Sequence, residues 1–251
     1  MKIIDLSKTI AYNKKDPWFM RIKIKHKRHK KSKFLIRFFV GLKKKFFPPD
    51  WEGWADDKII GMGVHATTHI DAPWHYAPIV AGKKAKTIDE IPLEWLYGDG
   101  IVIDMKHKKD FEIISKKDVI DFLEKNKLKL KTGNIVLIRT GRDHDNVNKG
   151  TGMSAEATEW LIDQGIKVMG IDQWGWDLPL KYQAKLANQK KDKDLFWEGH
   201  RIGQKKEYLH MEQLINLDAL PLSGFKIAVF PLKIKGASAA PARVVAIIDE
   251  K

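Results

Sequence analysis

The chain has 251 residues, 43% of them hydrophobic, enough for one large domain or two small ones; with no cysteine, disulfides, thiolate metal sites and a cysteine nucleophile are excluded. The formal net charge is +14, yet twelve of the lysines and arginines fall between Arg21 and Lys45, a stretch without Asp or Glu, and removing those twelve leaves +2. The basicity belongs to one segment, so a polyanion-binding surface spread over the whole chain is excluded.

The N-terminus has no apolar run followed by a small-residue cleavage site, and no apolar stretch approaches the roughly 20 residues of a bilayer span. A cytoplasmic location is the expectation, which the lack of cysteine also favours.

Residues 2–10 alternate loosely between apolar and polar and predict a first strand, broken by Asp16 and Pro17. In the basic segment, RIKIKHK reads as a strand or extended arm. SKFLIRFFVGLKKKFF is apolar enough for a short helix closed by Pro48 and Pro49. Three uses of this segment stand open: packing its aromatic face on the domain or a second subunit, contact of residues 21–45 with an anionic surface, and nucleic acid. The last has the least support, because no binding motif accompanies the charge.

Beyond Asp50 the pattern is mixed α/β. Residues 100–105 (GIVIDM), 134–141 (NIVLIRTG) and 166–172 (IKVMGID) read as strands, and 116–126 and 154–165 as helices. Ser154 is the expected N-cap of the second helix and Gly165 its end. Two apolar runs, FKIAVFPLKI and ARVVAIID, finish the chain. With no internal repeat and no dividing linker, the expectation is one α/β domain over 1–251 with an insertion at about 14–50.

The chemistry concentrates in GMGVHATTHIDAPWH, where His65, His69, Asp71 and His75 fall within eleven residues. His69 and Asp71 are two apart and share one face of an extended strand; turns near Ala66–Thr67 and at Pro73 can bring His65 and His75 to it. Imidazole nitrogen with carboxylate oxygen suits a borderline divalent ion, and three protein ligands leave a position for water. The HExxH, GxSxG, P-loop and GxGxxG motifs are absent, so serine hydrolases, nucleotide hydrolases and dinucleotide enzymes lack support.

The segment His65-A-T-T-H-I-D-A-P-W-His75 resembles the HxGTHxDxPxH signature of the metal-dependent cyclase family, which includes bacterial kynurenine formamidase, isatin hydrolase and a trans-dienelactone hydrolase. The resemblance continues through IDLSKTI, IVLIRTG, GIDQWGWD, EGHRIG, HMEQLINLDALP and the tail from FPLKIKG onward. It implies a swivelling β/β/α fold, a homo-oligomer, and a hydrolase acting on a formamide, cyclic amide or lactone with one or two zinc or manganese ions. It further implies that His65, His69 and Asp71 are metal ligands and that His75 is the acid/base. In members with two metals Asp71 bridges to a second ion, and His200 and Glu212 match that ion's His and Glu. Two departures stand out: Thr67 replaces the motif's glycine, and the basic insertion is foreign to the pattern.

Trp174 and Trp176 alternate, so at least one faces a core, and either is a candidate for a small-molecule pocket. His210 is a candidate substrate contact or supporting residue near Glu212. Asp172 and Asp177 either orient a metal-bound histidine or are solvated loop carboxylates. His26 and His29 sit among lysines, where repulsion disfavours a cation. Rival readings are a ring-forming cyclase or dehydratase with the same ion, and a metal-stabilised interaction protein that works through its basic arm.

Overall fold

The protein is described by a computed structural model covering residues 1–142 and 146–249. The chain divides into two compact units, Met1–Thr9 with Val64–Lys251, and Ile10–Gly63. Strand β1 (Lys2–Asp5) belongs to the first. It is shorter than the expected 2–10: Leu6 turns into the core, and Ser7 makes only an isolated bridge to Leu214.

The smaller unit contains β2 (Lys23–Lys25) paired antiparallel with β3 (Lys58–Gly61), and between them α1 (His29–Phe39). The helix was expected to run on toward Pro48. Instead it stops at Phe39, because Gly41 takes a left-handed φ of 75° and its N–H, with that of Val40, closes on the Ile36 carbonyl. Only a 3-10 turn, Lys44–Phe46, follows. Buried Ser32 ties α1 to the returning chain, donating to the His29 carbonyl and accepting from the Trp54 N–H. Phe34 and Phe38 are exposed with their rings 4.6 Å apart, and His26 pairs with Asp57.

The larger unit continues with β4 (His69–Asp71), α2 (Pro73–Tyr76), β5 (Tyr97–Asp104), α3 (Lys116–Lys125) and β6 (Ile135–Arg139). Then follow α4 (Ala155–Asp163), β7 (Val168–Ile171), α5 (Leu180–Lys190), α6 (Glu198–Arg201), β8 (Leu209–Glu212), β9 (Phe225–Pro231) and β10 (Ala239–Ile248). The hydrogen-bonded order is β10-β9-β5-β6-β7-β8-β4, and β4 pairs again with β10. Among the described residues, seven strands therefore close into a barrel, with β1 extending beside the far half of β10. Strands β5 to β8 are mutually parallel, and β4, β9 and β10 run antiparallel to their neighbours. The mixed α/β class expected from the sequence is thus present, built around a closed ring.

The helices form where their caps specify. Ser115 and Asp118 close α3 with a reciprocal capping box, and the Ser154 side chain accepts the Ala157 N–H at the start of α4. Gly165 ends that helix at φ 85°. Strand side chains alternate between two cores. Ile70, Val102, Leu137, Leu209, Met211, Ile227 and Val244 fill one cluster to which every strand of the ring contributes. Val136, Ile138, Met169 and Ile171 face the other, against Val119 and Leu123 of α3 and Leu161 of α4. This alternation matters at β4 and β8. With Ile70, Leu209 and Met211 committed to the ring's interior, His69, Asp71, His210 and Glu212 emerge together on the opposite face. No helix among the described residues is long and apolar enough to cross a membrane.

Candidate metal centre

The antiparallel register of β4 with β8 sets His210 opposite Asp71 and Glu212 opposite His69. Pro73 then starts the single turn of α2, which carries His75 and Tyr76. On α6, Gly199 lets the backbone pass close to Trp176, where a Cβ would meet the indole at 2.9 Å, and this delivers His200. Seven side chains from distant stretches of sequence meet in this way, with Asp71 at their centre.

The Asp71 carboxylate is buried, and its two oxygens serve different groups. His65 Nδ1 lies 2.8 Å and His69 Nε2 3.4 Å from Oδ1. His210 Nε2 lies 3.3 Å, His75 Nε2 3.6 Å and His200 Nε2 3.8 Å from Oδ2. Two donor sets result, His65–His69–Asp71 and Asp71–His200–His210–Glu212. The other ring nitrogens are anchored. His69 Nδ1 donates to the Thr67 carbonyl at 2.8 Å, and His200 Nδ1 to Asp177, which also accepts from the Gly199 and His200 N–H groups. Each contact directs the remaining Nε2 lone pair inward, as outer hydrogen bonds orient metal ligands. His65 Nε2 lies 3.0 Å from Ser238 Oγ.

Thr67 adopts φ 57°, the left-handed conformation that the family's glycine takes freely. A β-branched residue there is strained, and the strain sits at the turn that presents the carbonyl holding His69.

The electrostatics are those of a site built for positive charge. Burial opposes ionisation of Asp71, but the surrounding imidazoles, His75 and His210 foremost, hold it well below the usual carboxylate range. Burial likewise works against Glu212 and is outweighed chiefly by His210. Burial also disfavours a charged His210, yet Asp71 and Glu212 bring it up to about 9. His75 goes the other way, pushed down to about 4 by burial, with His65 and His200 adding repulsion.

A metal fits this arrangement. His69 Nε2 is buried without a hydrogen-bond partner, and Asp71 Oδ1, though 2.8 Å from His65 Nδ1, receives no well-directed hydrogen bond; buried polar atoms left so cost roughly 1–3 kcal/mol each. A cation between them satisfies both, and neutral imidazoles with carboxylates are the donors that borderline divalent ions take.

His65, His69, Asp71, His75, His200, His210 and Glu212 are thus brought together. Trp176 is fully buried, its ring stacked on His210 and its Nε1 donating to Thr158, which makes it the core-facing member of the tryptophan pair. Trp174 is half-buried on the loop after β7. Asp177 is buried on His200. Asp172 is buried too, accepting from Thr140 and Gly141, so neither is a solvated loop carboxylate. Sequence reasoning passed over Tyr76, Tyr208 and Trp197. Trp197 stacks on His200 at 4.5 Å and meets the edge of His75 at 5.3 Å; its left-handed backbone, φ 59°, leaves no signature in a sequence.

A closed α/β barrel whose seam carries this His/Asp/Glu set is, by class, a metal-dependent hydrolase. The family model described as putative cyclase matches residues 4–178, and the chain belongs to that family. It is 25% identical over 203 residues to a kynurenine formamidase from Bacillus cereus, covering 79% of this chain and 83% of that one. It is 24% identical over 205 residues to an isatin hydrolase from Roseibium aggregatum, covering 75% and 73%. Among solved structures, isatin hydrolase A from Labrenzia aggregata bound to benzyl benzoate shares the fold. That match has a TM-score of 0.71 at 24% identity, over 99% of this chain and 94% of that one.

Proposed function

We propose that the protein hydrolyses an amide or ester carbonyl in a small molecule of the formamide, cyclic amide or lactone class, using zinc or manganese. The observation that carries this is the pair of buried, unpartnered atoms, His69 Nε2 and Asp71 Oδ1, inside a cluster where four histidines face two carboxylates. The names of the relatives, kynurenine formamidase and isatin hydrolase, support the same class of bond.

His65, His69 and Asp71 would hold one ion, and His200 and Glu212, with Asp71 shared, a second. A divalent ion at such a site supplies a Lewis acid for the carbonyl and draws the pKa of water toward about 7. The chain's own residues do the rest. His65 and His75 keep a quarter of their side chains exposed whereas His69, Asp71, His200 and His210 are nearly sealed, so substrate reaches the site from the His65–His75 side. Trp197, half-buried beside His75, gives that entrance an aromatic wall. His75 takes the proton of the attacking water and returns it to the leaving nitrogen or oxygen, the work of a general acid/base. Asp177 and the Thr67 carbonyl hold His200 and His69 in the tautomers this requires.

The absence of cysteine suits a cytoplasmic setting. The test is turnover of a panel of formyl-amides, lactams and lactones by protein reconstituted with zinc or manganese. We expect hydrolysis of at least one class and its loss on chelation. Metal-loaded protein that turns over none of them, or turnover indifferent to chelation, would overturn the assignment.

A further inference from the structure

His210 has no task in the reaction described above, yet it is among the most constrained side chains in the molecule. It is fully buried, and Trp176 and Tyr76 both stack on its ring, at 5.1 and 5.5 Å with interplanar angles of 16° and 26°. Its two nitrogens have different surroundings. Nδ1 lies 3.1 Å from the Tyr76 hydroxyl and 3.2 Å from that of Tyr208. The Tyr208 hydroxyl donates its own proton to the Gly199 carbonyl, so its oxygen is left to accept from a protonated Nδ1, and the Tyr76 oxygen is a second acceptor within reach. With its proton on Nδ1 the neutral ring offers the Nε2 lone pair to a cation, which would take the place of the Nε2–H that the two carboxylates otherwise hold.

Nε2 stands 3.3 Å from Asp71 Oδ2 and 3.3 Å from Glu212 Oε1. Both separations exceed the 2.9–3.0 Å typical of an N–H···O bond. His200 Nε2, the fourth donor, stands 3.8 and 3.7 Å from the same two oxygens. A tetrahedral site with metal–ligand bonds of about 2.0–2.2 Å spaces its donors about 3.3–3.6 Å apart. The four measured edges therefore bracket a tetrahedron of zinc size. Glu212 Oε1 also accepts from the Trp176 N–H at 2.8 Å, and a carboxylate oxygen has a second lone pair for a cation.

We propose that His210 Nε2 is a metal ligand. With Asp71, His200 and Glu212 it completes a closed, four-donor zinc site behind the open one at His65, His69 and Asp71. The inference rests on the metal reading of the proposed function and divides it. Four protein ligands leave no position for water or substrate, which is the pattern of a structural ion, whereas the three-ligand set keeps one open. The rear ion stays with the chain, and the front ion exchanges.

The experiment is zinc content by mass spectrometry after dialysis against a chelator, with cobalt titrated into the fully stripped protein as a spectroscopic probe. Wild type should keep one chelator-resistant zinc per chain, and its first equivalent of cobalt should give the intense visible bands of a tetrahedral centre. His210→Phe should lose both signatures while still binding an exchangeable ion. Tyr76→Phe combined with Tyr208→Phe preserves the core shape but removes both hydroxyls beside Nδ1–H, and should weaken the resistant ion by about 10- to 100-fold. If His210→Phe fails to fold, the double tyrosine variant decides. Resistant zinc of unchanged affinity in these variants, or only exchangeable zinc in wild type, overturns this inference while leaving the hydrolase reading standing. A wild-type chain that binds no ion overturns both.

Discussion

Replacing His75 with alanine should separate proton transfer from metal binding. The His75 side chain belongs to neither donor set, and its closest approach to a carboxylate, 3.6 Å to Asp71 Oδ2, is too long for a hydrogen bond. Its removal takes no ligand from either set, so the metal content of His75→Ala should match wild type. Turnover should fall by about 10²- to 10⁴-fold, the range for a lost general acid/base, which is about 3–5 kcal/mol added to the barrier. Asp71→Ala should behave in the opposite way. Its two oxygens face both sets, so ions and activity should vanish together; His69→Ala should empty the front set in the same manner. The assay pairs metal analysis with kcat on the same preparations. If His75→Ala empties the site as His69→Ala does, His75 is a ligand and the proton passes elsewhere. If it keeps both its ions and full turnover, the acid/base assignment is wrong.

Asp177→Asn keeps the shape of the side chain that anchors His200 but replaces its carboxylate with a weaker acceptor. Metal affinity measured against a competing chelator should drop by about 10- to 100-fold; an unchanged value would show that Asp177 only braces α6. A second expectation concerns pH and lies away from the site. Burial raises the Asp118 pKa, but Lys108 at 2.7 Å and the Ser115 cap outweigh it and bring the pKa below 3.8. Because the folded pKa is depressed, the stabilisation is present above pH 3.8 and is lost as pH falls through the lower folded value. Asp118→Asn should therefore cost about 1 kcal/mol near pH 7 and progressively less in acid. Urea titrations at both pH values check this, and a difference independent of pH would refute it.

The front donors His65, His69 and Asp71, with the acid/base His75, were legible because they are close in sequence, and the two-residue spacing of His69 and Asp71 fixes a shared strand face. The rear pair, His200 and Glu212, emerged only through family resemblance. No local rule joins Gly199–His200 to a strand ten residues later or states that His210 will lie opposite Asp71, since strand register is a tertiary fact. Helix α4 was visible from its serine cap, and both α3 and α4 from their periodic apolar residues. Helix α5, LKYQAKLANQK, was not, because it begins after Pro179 without a side-chain cap and buries only Gln183. The closure of the barrel was likewise hidden, since its last member is three residues long and too short to carry a periodic signal.

That short strand has a consequence for the chain when it is starved of metal. β4 is hydrogen-bonded on both sides, to β8 and to β10, and its outward side chains, His69 and Asp71, each keep a buried atom without a hydrogen-bond partner that a cation would satisfy. An ion that binds only the closed ring adds about 2.7 kcal/mol to closure at a hundredfold excess over its Kd. Without it, the weakest place in the ring is the one three-residue staple. Opening there turns an edgeless cylinder into a sheet with the flanks of β8 and β10 bare, the exposed template on which strands of other chains add. Metal supply would then govern how long the protein stays dispersed as well as how fast it works.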